Sequence, residues 1–481
     1  MIALFLILIP LFAGLVAVFV NSGKGAKGWS LIASFATLAL AILSVYSTNH
    51  NQLFFNGAWL PQMGSNFSLS LDGMSKMLAL LNAIALPIII ISTYRNDYKN
   101  PGRFYSLMLL MQAGMMGVFL ASDSLLFYFF WELALVPAYF LCSMWGGERR
   151  IPVTFKFFVY TFLGSLLMLI GILYLYFKTP GAHSFALQAF YDLKLTQAEQ
   201  NFGFWMFFIA FAIKMPIFPF HTWQPDTYEQ STTAVTMMLS AIMVKMGIYA
   251  VIRWCVPVFP LAVAKFDGLV VVLSVIGIIY ASLIAIRQDD MKRLIAYSSI
   301  AHIGLMSAAI FAGKEAGLQG VMIQMFNHGI VVLGLWIVAD AIEQQFGTRK
   351  FSQLGGLAQK APDLAILFVV MAFANISLPL TNSFVGEFLM LNGLFQYNWI
   401  AAAVAIVSII LAAAYTLSMV QKIFYGQTSE LTMQARDSAA SVNVALAVLV
   451  VLILFFGVYP QPMIELTSDT VKTLLAQVKT F

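Results

Sequence analysis

The chain has 481 residues, 61% of them hydrophobic and 10% charged, with a mean hydropathy of +0.86; a water-soluble domain carries about a quarter charged residues, so a soluble enzyme is excluded. The formal charge of +5 comes from Lys and Arg scattered through short connections rather than gathered into stripes, which excludes a nucleic-acid partner and points to orientation in a bilayer. Cys142 and Cys255 lie in or beside apolar stretches without metal-ligand spacing, and the expectation is two buried thiols, no disulfide and no metal.

Apolar runs of about 20 residues, each able to cross a hydrocarbon core roughly 30 Å thick, recur from end to end. They predict an all-α integral membrane protein of about 14 transmembrane helices, a single polytopic domain over residues 1–481. In chain order the spans are 2–20, 29–48, 72–94, 104–121, 124–145, 153–177, 202–220, 231–252, 268–286, 294–312, 317–340, 363–392, 399–421 and 442–460. The first has no basic region before it and no convincing cleavage site after it, so it is expected to be a retained helix rather than a signal peptide.

With the N-terminus outside, 15 of the 26 Lys and Arg residues fall in inside connections and 7 in outside ones. By the positive-inside rule both termini then face the periplasm of a bacterial inner membrane, or its equivalent. The connection 49–71 contains no Lys or Arg at all, whereas GGERRIP and RQDDMKR are basic.

Spans 4–8 (104–252) and 9–13 (268–421) are each five helices, and an odd number of crossings leaves the second set inverted relative to the first. The fourth helix of each set, spans 7 and 12, is broken: KMPIFPF in one, NISLPLTNSFVGE in the other. Pro216, Pro219 and Pro379 each remove a backbone donor and free a carbonyl. Bare backbone at membrane depth is tolerated where protein or a wet cavity surrounds it, and matching breaks in two halves point to an ion site. The expectation is two half-channels.

Glu132, Lys214, Lys245, His302, His328 and Glu387 all sit well inside apolar spans. A bare charge there costs roughly 2.5 to 3.5 kcal/mol or more, so these groups must be paired, hydrated or neutral. Two acids, two lysines and two histidines can form a proton relay, since burial and neighbouring charges tune such groups and histidine already titrates near neutrality. Static ion pairs that only fix packing are the simpler alternative, but ion pairs stabilise poorly relative to apolar contacts. His221, just after the first break, is either part of a proton entry path or a capping residue, with Asp226 and Glu229 beside it. Lys76, four residues after Asp72, is expected to pair with it locally, and Lys156 to lie near the inside surface. The 25 Met and 42 Phe residues are expected to pack and to face lipid. No Rossmann fingerprint, P-loop, Cys cluster or bis-histidine haem arrangement occurs, so the chain is expected to bind no cofactor and to carry no electrons.

The segments LDGMSKMLALL, SDSLLFYFFWELALVPAYFL, KMPIFPFHTWQPDTYEQS, QDDMKRLIAYSSIAHIG, FNHGIVVLGL and LPLTNSFVGEFLML, spread from residue 71 to about 394, resemble in order the motifs of the antiporter-like membrane subunits of proton-pumping NADH:quinone oxidoreductase, respiratory complex I. The resemblance implies that Glu132 and Lys214 form a charged pair, that Lys245 is the central lysine, that His302 and His328 link two half-channels, and that Glu387 ends the channel. It implies NADH, FMN, iron–sulfur clusters and quinone in partner subunits, sibling L-type and N-type subunits beside this one, and the lipid bilayer and protons as its other partners. Glutamate at the last position marks the family's M branch, and the short stretch after the last span lacks the long lateral helix of the L branch. One departure is EQSTTAV, where the family often has small residues and a proline before the central-lysine helix. Related sequences also serve multisubunit cation/proton antiporters and energy-converting hydrogenases, so these remain alternatives, as do a non-conducting scaffold and a stand-alone solute carrier.

Overall fold

A computed structural model describes residues 1–479. In chain order the elements that matter are α1 (Ile2–Ala17), α2 (Gly23–Tyr46), the hairpin β1 (Phe54–Leu60) and β2 (Ser65–Ser70), α3 (Gly73–Ser92), α4 (Pro101–Leu120), α5 (Ser124–Trp145), α6 (Arg150–Lys178), α7 (Gln197–Lys214), α8 (Trp223–Gln230), α9 (Thr233–Cys255), α10 (Pro260–Ile286), α11 (Met291–Phe311), α12 (Glu315–Phe346), α13 (Pro362–Asn375), α14 (Asn382–Tyr397), α15 (Trp399–Tyr425), α16 (Ala440–Val458) and α17 (Gln461–Lys479). Among the described residues, eleven helices are long and apolar enough to cross a membrane, and α1 and α13 are shorter apolar helices. The spans that fall outside the eleven are 1, 7 and 12. Span 12 divides into α13 and α14 around residues 376–381, and span 7 stops at Lys214, where KMPIFPF begins.

Helix boundaries follow local chemistry. Asp72, Asp123 and Asp290 each accept backbone N–H bonds from the first turn of the helix they precede, and Thr196 with Glu199 forms a reciprocal capping box on α7, which satisfies donors that have no intrahelical partner. Pro101, Pro260 and Pro362 open their helices at positions where no donor is needed.

The connections sort onto two faces. On one, Gly147 N–H donates to the Gln230 carbonyl at 2.7 Å, Arg293 pairs with Glu229 at 2.7 Å and Arg349 with Asp290 at 2.5 Å, and Gln345 donates to the Arg436 carbonyl at 2.9 Å. These are the connections that the charge count assigns to the inside. On the opposite face Ser65 donates to Asp123 at 2.9 Å, Tyr191 donates to the Arg253 carbonyl at 2.7 Å, and Arg253 pairs with Asp72. Lys76 does not take Asp72 as expected. Its ammonium donates to the Ser47 carbonyl at 2.8 Å, because Arg253 already holds the carboxylate.

Two elements of the outer face were not foreseen: the antiparallel hairpin and α17. The latter has a strongly one-sided apolar pattern and lies across the outer ends of α3 and α12, where Thr470 accepts from the Gly73 N–H at 3.1 Å and Gln319 donates to Thr467 at 2.5 Å.

Burial pushes the Asp72 carboxyl up, but the Arg253 guanidinium, together with the amide and hydroxyl of Ser75, holds it below the usual carboxylate range. A carboxylate whose folded-state value is depressed contributes stability at and above its ordinary value and loses it as pH falls through the depressed one. The tie between α3 and α9 is therefore intact throughout neutral pH and fails only in acid. Asp72→Asn is expected to lower assembled-complex stability at pH 7 by about 1 to 3 kcal/mol, less than a fully buried pair because both groups keep some solvent. A thermal melt whose wild-type and variant midpoints converge in acid checks it.

The interior of the bundle is occupied by α9 and α12, which are enclosed along their length, with α11 nearly so, whereas α2, α15 and α16 turn most of their surface outward. The enclosed helices carry Lys245, His328 and His302. The costly side chains thus sit where protein rather than lipid surrounds them.

Candidate functional site

Lys245 lies on α9 between two π-helical stretches, Leu239–Met243 and Val251–Cys255. A wider turn tilts carbonyls off the helix axis, and one of these, Ser240 O, accepts from the Lys245 ammonium at 2.7 Å. The same ammonium stands 2.8 Å from His328 Nδ1 on α12. Gly247 makes this placement possible: a Cβ there would meet the Met215 backbone nitrogen at 2.7 Å, so α9 can press against the end of α7 only without one.

From His328 the contacts continue. Its ring centroid is 5.5 Å from that of His302 on α11, and His302 Nδ1 is 2.8 Å from Glu387 Oε1 on α14. Gln324 of α12 donates to the same carboxylate oxygen at 3.5 Å, a weak contact. Gly386 lets α14 approach α12 this closely, since a Cβ there would fall 2.4 Å from Gln324 Oε1. Four ionisable side chains from four helices therefore form one file: Lys245, His328, His302, Glu387. Lys245, His328 and Glu387 are buried, and His302 nearly so.

Each link has the chemistry to move a proton. An ammonium donates to a neutral imidazole nitrogen, an imidazole carries one proton and can release the other from its far side, and a carboxylate accepts. His302 Nε2 has no protein partner, and buried polar groups without one are ordinarily met by water. A polar cluster adjoins the file towards the inner face: Ser298, one turn before His302, lies 3.0 Å from the Tyr415 hydroxyl, and Asn375 at the break donates to Thr416 at 2.9 Å. Asn327 donates to the Asn382 carbonyl across the break at 2.7 Å.

The first half differs. Glu132 and Lys214, both described residues, make no direct ion pair: the Lys214 ammonium has no hydrogen-bond partner and stands 5.3 Å from the centroid of the Trp131 ring, while Glu132 keeps one oxygen without a partner. The resemblance implied a charged pair, and without direct contact the two charges still act on each other across the gap. An ammonium over an aromatic face is stabilised by the ring quadrupole. His221 is buried against Phe218 and Tyr280, with Nδ1 unpartnered. Asp226 and Glu229 belong instead to an ionic lattice on the inner face. Asp226 pairs with Lys156 at 3.0 Å, which also puts Lys156 near that surface, and Glu229 pairs with Arg293 and Arg349.

The sequence reading did not single out Trp131, Ser240, Gln324, Asn327, Asn375, Ser298 or Tyr415. A usable signal existed for Gln324, Asn327 and Asn375: amides inside otherwise apolar spans. For Ser240 there was none, because its carbonyl, not its side chain, makes the contact. Among the described residues no group of three or more His, Cys, Asp or Glu side chains converges as a metal set, and both cysteines are buried thiols.

Glu229→Gln is expected to loosen the inner face without touching the file. The variant should lower the thermal midpoint of the assembled complex by the equivalent of about 1 to 2 kcal/mol and leave protons moved per electron unchanged, which a melt and a pumping assay on the same vesicles check.

The family model for NADH:quinone oxidoreductase/Mrp antiporter transmembrane regions matches residues 121–412. NADH-quinone oxidoreductase subunit M of Rickettsia typhi is 35% identical over 98% of this chain and 97% of its own length. F(420)H(2) dehydrogenase subunit M of Methanosarcina mazei is 34% identical over 99% of this chain and 98% of its own. A chain of respiratory complex I from Thermus thermophilus superposes with a TM-score of 0.91 at 28% identity, over 99% of this chain and 100% of that one.

Proposed function

This chain belongs to the NADH:quinone oxidoreductase/Mrp antiporter transmembrane family, and from that premise we propose the following: it is the antiporter-like M-type subunit of a proton-translocating NADH:quinone oxidoreductase, moving protons through a chain of buried Glu, Lys and His residues. The observation that carries the mechanism is the contact file Lys245, His328, His302, Glu387, the first three on enclosed helices and the last itself buried. A proton held by Lys245 passes to His328 Nδ1, leaves the far side of that ring for His302, and reaches Glu387 through His302 Nδ1. Glu132, Lys214 and His221 form the first half-channel, residues 104–252. Their unpartnered polar atoms support a hydrated approach to Lys245. The file from His302 to Glu387 belongs to the second half-channel, 268–421, and Glu387 releases protons to the outside.

Electron transfer belongs to partner subunits, which hold NADH, FMN, iron–sulfur clusters and quinone, and sibling L-type and N-type subunits flank this one. The Methanosarcina relative, named for a different electron donor, fits that division of labour, because the membrane machinery does not read the donor. A membrane carrying the complex with this chain deleted and then restored tests the function. Restoring the chain should return NADH-driven proton uptake; cation-driven proton exchange without NADH would instead make it an antiporter subunit.

Both termini face the periplasm of a bacterial inner membrane. Accessibility labels on residues 146–152 and 287–293 are expected to react only from the cytoplasmic side and labels near residue 60 only from the other. The reverse pattern would invert the direction of both half-channels.

A further inference from the structure

The inner face opens into a cleft of about 580 Å³ and, beside it, a hollow of about 270 Å³. Asp340, near the inner end of α12, borders both, yet is only 6% exposed. Its neighbours on this face, Asp226, Glu229, Asp290 and Glu343, each have an Arg or Lys partner. Asp340 has no ion pair among the described residues: it accepts from the Asn96 amide at 3.0 Å, and Thr233 lines the same cleft. The cation whose charge acts on it, Lys292, is committed to Glu343 at 2.7 Å. A buried carboxyl held by a neutral donor and left on the boundary of two open hollows is free to exchange a proton.

A polar lane leads from it. Thr233, Thr236 and Ser240 follow one another on α9 at spacings of three and four residues, hence on one face, and Ser240 O is the group that holds the Lys245 ammonium. Beside the lane, Thr232 Oγ1, Tyr228 OH, both polar atoms of Gln224 and Trp336 Nε1 are all buried without a hydrogen-bond partner, and the Tyr228 and Trp336 rings meet at 5.9 Å. So many orphaned polar atoms in one place mark a hydrated passage.

We propose that Asp340 is the proton-collecting residue of this subunit, taking protons from the inner cleft and passing them along the Thr233 to Ser240 lane to Lys245. This rests on the reading of Lys245 through Glu387 as the relay. In each cycle the Asp340 O–H bond breaks as a lane water gains the proton, a proton from that water chain reaches neutral Lys245, and water in the cleft reprotonates the carboxylate. The groups that face Asp340 are Tyr98 and Arg95 from the connection before α4, Lys292 from α11, Glu343 from its own helix, and Arg436 with Asp437 across the second hollow.

Asp340→Asn keeps an oxygen for Asn96 but cannot carry the proton. In the assembled complex, coupled turnover is expected to fall about tenfold at alkaline pH, less than the hundredfold or more for a reacting acid or base because water still enters the lane. The loss should shrink as pH falls and bulk protons become plentiful, and Asp340→Glu should restore most of the rate. Electron transfer to an artificial acceptor reports assembly. If Asp340→Asn does not assemble, Thr233→Val is measured in its place, with a severalfold loss expected. Normal turnover and an unshifted pH profile in the assembled variant overturn the collector. If Glu387→Gln is nevertheless slow, the relay stands; if both are normal, the relay fails as well.

Discussion

Glu387→Gln is expected to leave an assembled complex whose coupled turnover is lower by on the order of a hundredfold. The carboxylate is buried, and the ionisable group in direct contact with it is His302, at 2.8 Å. Glutamine keeps the volume and an oxygen to receive the His302 N–H, so α14 should stay packed on α12, but it cannot take up or release a proton. Moving one charge against 100 mV needs about 2.3 kcal/mol, so the group that last holds the proton must be able to titrate under the driving force that partner subunits supply. Glu387→Asp should retain part of the rate, because the shorter side chain lengthens the His302 contact without abolishing titration. Turnover and pumping measured on both variants, normalised to assembled complex, check this.

Lys245→Met is expected to have an effect at least as large, on the order of a hundredfold in coupled turnover, with assembly unharmed. Lys245 bonds both the Ser240 carbonyl and His328, so it is where the inner approach meets the file. Methionine fills a similar volume. Removing the buried charge relieves its desolvation, which offsets the loss of its hydrogen bonds to Ser240 O and His328 Nδ1. A variant that melts no lower than wild type while turnover is lost separates function from folding. Loss of assembly would show instead that the lysine holds α9 and α12 together.

Eleven of the spans, the two breaks and the six ionisable residues inside the apolar runs were legible in the sequence because each rests on a local signal: an apolar run, a proline inside it, or a charge where a charge is expensive. The outer hairpin left a signal that was not read, the polar–apolar alternation of Asn66, Phe67, Ser68, Leu69, Ser70 and Leu71, and α17 was passed over because its apolar residues form a stripe rather than a run. That Glu387 meets His302 directly, while Glu132 and Lys214 act on each other only at longer range, depends on which face each helix presents, which no spacing rule supplies. The π-helical stretches that flank Lys245 and turn Ser240 O towards it leave no mark in residue type. Asp340 sat at the edge of a predicted span, where an acid is ordinarily a solvated end residue, and only the two hollows that meet at it show otherwise.

The central claim is that Lys245 and Glu387 are two stations of one proton path. Its most direct test is the number of protons moved per electron in sealed vesicles for Lys245→Met, Glu387→Gln and the double variant. Residues that act in series fail together, so each single variant should move fewer protons per electron, and the double should be no worse than the poorer single. A normal ratio in either single variant, or losses that multiply in the double, would contradict it.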